Sequence, residues 1–165
     1  MDYLDSLLTL AEISVAFTGF ASIVVIFKRR SSGEWDGIDA FRFRGMLAYS
    51  LLAALFSVTP LPLHAIGLPD QLVWAIGSSA LGGYFAWMLW GHAHLPQRWP
   101  VPVNWRVWTI AHALLWIGFF TQLLNVAGLW FHREPGPYVL GITLLLTGAG
   151  WSFFNLVSVT DDRRA

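Results

Sequence analysis

Residues 6–30 read SLLTLAEISVAFTGFASIVVIFKRR, an apolar run that stops on three consecutive positive charges. Its core, Leu7 to Phe27, is long enough at ~1.5 Å per residue to cross a hydrocarbon layer of ~30 Å as a helix. A secretory signal carries its positive charge ahead of the apolar stretch. Here Asp2 and Asp5 come first, and Lys28, Arg29 and Arg30 follow. The run also exceeds the apolar core of a signal, so it reads as a retained first membrane helix. Inside it stands Glu12, and an ionisable side chain at such a position costs roughly 2.5–3.5 kcal/mol on insertion scales.

Four further apolar segments follow: Gly45–Leu68, Leu72–Gly91, Trp105–Phe131 and Tyr138–Thr160. Each is long enough to span, and none shows the two-residue alternation of a membrane β-strand. Of 165 residues, 56% are hydrophobic and 12% charged, with ten Trp and twelve Phe. That charged fraction is about half the ~25% usual in soluble domains. The expected fold is an all-α integral membrane protein, a bundle of five transmembrane helices forming one domain over residues 1–165. There is no Cys, which excludes disulfides and thiolate metal sites. Zero net charge gives no basis for nucleic-acid binding.

Local charge predicts direction. Lys28, Arg29, Arg30, Arg42 and Arg44 flank the first loop, Arg98 and Arg106 the third connection, and Arg163 and Arg164 the tail. With five crossings these three regions share a side, opposed only by Arg133. Positive charge stays in the cytoplasm, so the N-terminus is expected outside and the C-terminus inside. The loops leave no room for a soluble catalytic domain. In the first loop Asp39 is placed to cap the second helix, and Trp35 and Phe41 to rest at the interface. HREPGP, residues 132–137, reads as a tight outer turn. The stretch AEISVAFTGFASIV, residues 11–24, resembles segments of small bacterial membrane proteins, so the expected location is a bacterial cytoplasmic membrane.

On a 100° wheel Leu8, Val15, Ala16, Gly19 and Ile23 lie within ~60° of Glu12. Small residues let a neighbouring backbone approach, so the Glu12 face is expected to be buried in protein. The fifth predicted helix repeats the pattern with Gly141, Gly148, Ser152 and Asn155 on one side, and the third with Ala75, Ser79, Gly82 and Ala86. Such stripes serve helix packing far more often than pore lining. They predict tight packing and self-association.

Depth groups the polar residues. Glu12 lies one to two turns below the outer surface. His64 follows Pro60 and Pro62 near the outer end of the second helix, and those prolines leave carbonyls without helical donors. Gln122 and Asn125 occupy the outer half of the fourth helix. These four share a depth, which predicts an outward-facing polar pocket; the plainer alternative is a protonated Glu12 in one structural hydrogen bond. On the inner side are His92 and His94, read as solvated interfacial residues, with His112 and Asn155 deeper. His112 has Trp105, Trp108, Trp116 and Phe119 on its face, consistent with a hydrogen-bonded neutral imidazole or, alternatively, a proton relay.

Haem held by His64 and His112 is disfavoured, because the two differ in depth by ~15 Å. A pair of His92 with His112 stays open as a weaker alternative, while His92 and His94 are spaced so that they do not share a helical face. No metal site or cofactor is expected, and no GxGxxG, P-loop, HExxH or GxSxG motif occurs. Three functions stay open: a homo-oligomeric channel or transporter for a cation or proton with Glu12 in the outer path; a non-catalytic accessory or scaffold of a larger membrane complex; and an intramembrane redox or cofactor-binding subunit using His112. Beside the lipid bilayer, the expected partners are further copies of the chain or that larger complex.

Overall fold

The computed structural model describes residues 3–32, 37–94 and 105–158. They form six helices: α1 (Tyr3–Ser32), α2 (Gly37–Val58), α3 (Pro60–Ala65), α4 (Asp70–His94), α5 (Trp105–Ala127) and α6 (Pro135–Ser158). No strand occurs among the described residues. Five spans are long and apolar enough to cross a membrane: Tyr3–Phe27, Asp39–Ala65, Asp70–Gly91, Thr109–Ala127 and Pro135–Val157. The protein is an all-helical membrane protein. The side chains of Lys28, Arg29, Arg30, Trp35, His92, Arg98, Trp105, Arg106, Trp108, Arg163 and Arg164, and residue Thr160, lie outside the described residues.

The ends of the spans differ from their sequence estimates for local reasons. The helix α2 begins at Gly37, so Asp39 is inside its first turn and not a cap. It pairs with Arg42, one turn on, at 3.6 Å. Hydrogen bonding of the second span then breaks at Thr59, whose angles (φ −55°, ψ −39°) are still helical. Pro60 and Pro62 have no N–H to give, so the ladder lapses while the chain keeps turning.

The fourth span stops at Ala127, short of Phe131. Gly128 takes φ +69°, its N–H donates to Asn125 O at 3.1 Å, and Leu129 N–H donates to Leu124 O at 3.1 Å. This is a Schellman closure, in which a left-handed glycine satisfies the last carbonyls. The second span closes the same way: Gly67 (φ +80°) donates to His64 O at 2.9 Å and Leu68 to Leu63 O at 3.3 Å. α6 opens on Pro135, where a missing N–H costs nothing.

Contacts gather the chain into two compact units, one of Met1–Val58 with Leu145–Ala165, the other of Thr59–Leu144. In the first unit α1 packs on α2. The buried positions of α1 are Leu7, Ser14, Ala21 and Val25, and those of α2 include Met46, Ser50, Ala53 and Ser57. These spacings of seven and of four-three-four follow the repeat of a coiled-coil seam. Thr18 Oγ1 crosses the seam to Ser50 Oγ at 2.7 Å, and Ser50 donates onward to Met46 O at 2.9 Å. The second half of α6 adds Phe153, edge-on to Phe17 at 5.7 Å, and Gly148, where an added Cβ would lie 3.6 Å from the Tyr49 ring.

The second unit interlocks large side chains with glycines. A Cβ on Gly118 of α5 would meet the Phe85 ring at 2.7 Å. One on Gly77 would meet the Tyr138 ring at 2.9 Å, and one on Gly141 would meet Leu81 Cδ2 at 2.6 Å. Phe85, Tyr138 and Leu81 are fully buried. The packed face of α4 is therefore Trp74, Ser78, Leu81 and Phe85 with Gly77 and Gly82, while Ser79 of the expected stripe is exposed. The stripe was mis-phased because on this helix it is chiefly bulky residues that enter the interface, into gaps on α5 and α6.

Candidate functional site

Two amides of α5 define a polar centre in the second unit. Asn125 is 0% exposed, and its Nδ2 donates to Ser78 Oγ at 2.9 Å and to Glu134 O at 3.0 Å. Its Oδ1 accepts the Glu134 N–H at 3.0 Å. Both donor hydrogens and the oxygen are thus engaged, two of these three bonds with one peptide backbone. Arg133 Nε donates to Val126 O at 3.3 Å beside it. These bonds hold a turn in which Trp130, His132 and Arg133 have φ of 70°, 51° and 61°. Each left-handed non-glycine residue costs about 1 kcal/mol or more.

Gln122 lies one turn earlier, also 0% exposed. Its Nε2 donates to Pro137 O at 2.6 Å. Gly82 and Gly141 leave room for it: a Cβ on Gly82 would lie 3.1 Å from Gln122 Cβ, and one on Gly141 would lie 2.7 Å from Nε2. Gln122 Oε1 is buried with no hydrogen-bond partner among the described residues.

His64 belongs to the same unit and meets it through rings. Its imidazole is edge-on to Trp74 at 5.7 Å, and Trp74 lies 6.0 Å from Tyr138. The Tyr138 hydroxyl bonds the Thr59 side chain, next to the proline break. On its exposed side His64 Nδ1 is 3.6 Å from Asp70 Oδ1. The structure therefore brings Gln122 and Asn125 together, with His64 linked to them through Trp74 and Tyr138.

Glu12 is different. It belongs to the first unit and its side is exposed, as are Leu8, Val15, Ala16, Gly19 and Ile23. Ala21, at the centre of the α2 contact, is nine residues away, which at 100° per residue is ~180° round the helix. The expectation that the Glu12 face is buried in protein is thus reversed within its unit: α1 packs its opposite side. No hydrogen bond or ion pair to Glu12 forms among the described residues. The four residues of the expected pocket come together in neither unit.

The inner pair is also divided. His112 is half-buried in the second unit, and Asn155 is half-buried in the first, where its Nδ2 donates to Trp151 O on its own helix at 2.8 Å. Of the aromatic face beside His112, Trp116 is exposed and its ring stacks on Phe120 at 5.2 Å. His94 is exposed, with Nδ1 2.7 Å from Trp90 O. Among the described residues no three of His, Cys, Asp and Glu cluster to hold a metal.

Sequence reasoning missed the Thr18–Ser50 bridge and the glycines Gly77 and Gly118. Ser14, Thr18 and Ser22 recur every four residues, and that repeat marks the seam more closely than Ala16 and Gly19 do. No family model, no curated protein and no solved structure matches the chain.

Proposed function

We propose that this chain is a subunit of a homo-oligomeric channel or transporter for a cation or proton, with Glu12 in the outer part of the path. The observation that carries this reading is the open placement of Glu12, on the side of α1 away from α2. A carboxylate at that depth needs water or a protein partner. Neither α2 nor α6 supplies one among the described residues, so assembly of several copies is what gives it a hydrated surroundings. Of the buried amides in the second unit, Asn125 is tied to the turn after α5 and Gln122 donates to Pro137 O of α6. In this reading the membrane is a bacterial cytoplasmic one with the N-terminus outside, as charge segregation favours, and an acidic residue near the mouth favours cations.

Flux into liposomes decides the matter. Wild-type protein is expected to pass protons or a monovalent cation, and Glu12→Gln to reduce the rate by about ten-fold or more, as for a residue in a selectivity ring. Equal rates, or no flux from either, reject the reading.

A second reading is an accessory subunit of a larger membrane complex. It is favoured by the breadth of open apolar surface, including Val15, Phe20, Trp116 and Phe120. Purification in mild detergent followed by mass spectrometry would then yield a foreign protein in fixed ratio. A pure homo-oligomer rejects it.

A further inference from the structure

The turn after α5 carries a large side chain that the second unit does not use. Gly128 closes the helix in the left-handed region, where glycine meets no steric penalty. Two residues later the chain turns again. The Phe131 N–H donates to Leu129 O at 2.8 Å around Trp130, whose φ is +70°. This is a γ-turn of positive φ, the rare and strained form, and a bulky residue is poorly suited to its centre. Asn125 fastens the far side of the turn through Glu134. Yet Trp130 is 84% exposed, and no hydrogen bond or ring contact to it forms among the described residues. The strained backbone holds the indole away from the unit.

We infer that this turn is a membrane-interface anchor, which holds the Trp130 indole among the ester carbonyls and glycerol groups of the lipid headgroup layer. The inference concerns a loop residue outside the spans and is independent of conduction.

Position and chemistry select that occupant. The span Thr109–Ala127 ends three residues before Trp130, and the span Pro135–Val157 starts five residues after it. The turn therefore stands where hydrocarbon gives way to headgroups. Asn125 bonds Ser78 while Gly118 meets Phe85, an antiparallel order that sets the start of α4 beside the end of α5. The loop before α4 repeats the feature: Ile66, next to left-handed Gly67, is 73% exposed, and Leu129 is 61% exposed. His132 and Glu134 are exposed as well, so apolar and polar side chains mix within a few residues, as the border of a bilayer requires. An indole has an apolar body and a single N–H donor. In hydrocarbon that N–H has no acceptor, and in water the ring stays unburied. The headgroup layer offers ester oxygens to the first and the tops of acyl chains to the second.

The absence of cysteine from the chain makes the test direct. Leu123→Cys, Leu129→Cys, Trp130→Cys and Glu134→Cys each carry an environment-sensitive fluorophore, in protein held in phospholipid nanodiscs. The quenchers are iodide in solution and lipid nitroxides near the top or the end of the acyl chain. Leu123, on α5 and 48% exposed, lies ~6 Å inside the end of its span by helical rise. The label at 130 is expected to respond most to the shallow nitroxide, that at 123 to the deep one and that at 134 to iodide. With the label at 129, Trp130→Ala should raise iodide quenching about two-fold, while Trp130→Tyr, which keeps an amphipathic ring, should leave it unchanged. Iodide quenching at 130 as strong as at 134 puts the turn in water and overturns the anchor. A label at 130 that no quencher reaches shows protein covering the turn and overturns it too. An unchanged reading at 129 in Trp130→Ala does the same. Helicity and the Leu123 and Glu134 readings verify that each labelled protein is folded.

Discussion

Glu12 of α1 and Asn125 of α5 are both polar side chains within membrane-crossing spans, and the fold treats them oppositely. Asn125 is sealed, and each of its hydrogen-bonding groups has a partner within its own unit. Glu12 is turned away from its unit's packing and bonded to nothing among the described residues. The first has an architectural role: it fastens a strained turn to the helix before it. The second contributes nothing to the architecture of the unit that bears it. Polarity in a span therefore does not by itself mark a working residue. What separates the two is whether the chain's own backbone uses the group.

That contrast can be broken in four ways. Asn125→Leu should do the most damage. It removes the bonds to Ser78 Oγ, Glu134 O and Glu134 N–H, the last keeping only Phe131 O, and frees the 130–134 turn to relax, a loss of about 3 kcal/mol at ~1 kcal/mol per bond. Unfolding in mixed detergent micelles followed by helix content is the measurement, and an unchanged midpoint would place Asn125 with Glu12. Gly141→Ala comes next. A methyl there meets Leu81 and Gln122 at under 3 Å, and overpacking of a tight core costs about 2 kcal/mol. The same substitution at Gly19 should leave the fold of one chain unchanged, since open space surrounds it.

Thr18→Val removes the bridge to Ser50 while keeping shape. About 0.6 kcal/mol is expected, the average for such bonds in membrane helices. Smallest of all is the effect of Glu12→Gln on the fold, which should fall within ~0.5 kcal/mol, as for surface sites away from structural features. A large loss of helix stability in Glu12→Gln would show that this carboxyl is structural after all, and the contrast with Asn125 would vanish.

The five spans were legible because hydropathy and length alone decide them. Their limits were less so, since closure depends on one glycine taking a left-handed turn at 128 and on prolines interrupting the ladder at 60 and 62. That Gln122 and Asn125 stand one turn apart on α5 was readable by counting residues, but their partners were not, because a carbonyl at Pro137 or Glu134 has no signature in the sequence. The facing of α1 was misread for a physical reason. A helical wheel fixes angles between residues and says nothing of which angle meets the neighbour. Ala16 and Gly19 looked like the contact, while Ser14, Ala21 and Val25 form it, with the Thr18 hydroxyl bonded to Ser50.

One feature of α6 bears on how such a chain is made. Its early residues give the second unit Pro137 O for Gln122, Tyr138 for Trp74 and Gly141 for Leu81. Its later residues give the first unit Gly148 for Tyr49 and Phe153 for Phe17. As ribosomal synthesis proceeds, five helices are in place before either group of partners can be completed, and a single insertion event by the translocon finishes both. A stop codon ahead of Pro135 would thus leave two unfinished halves instead of one sound half and one defective one.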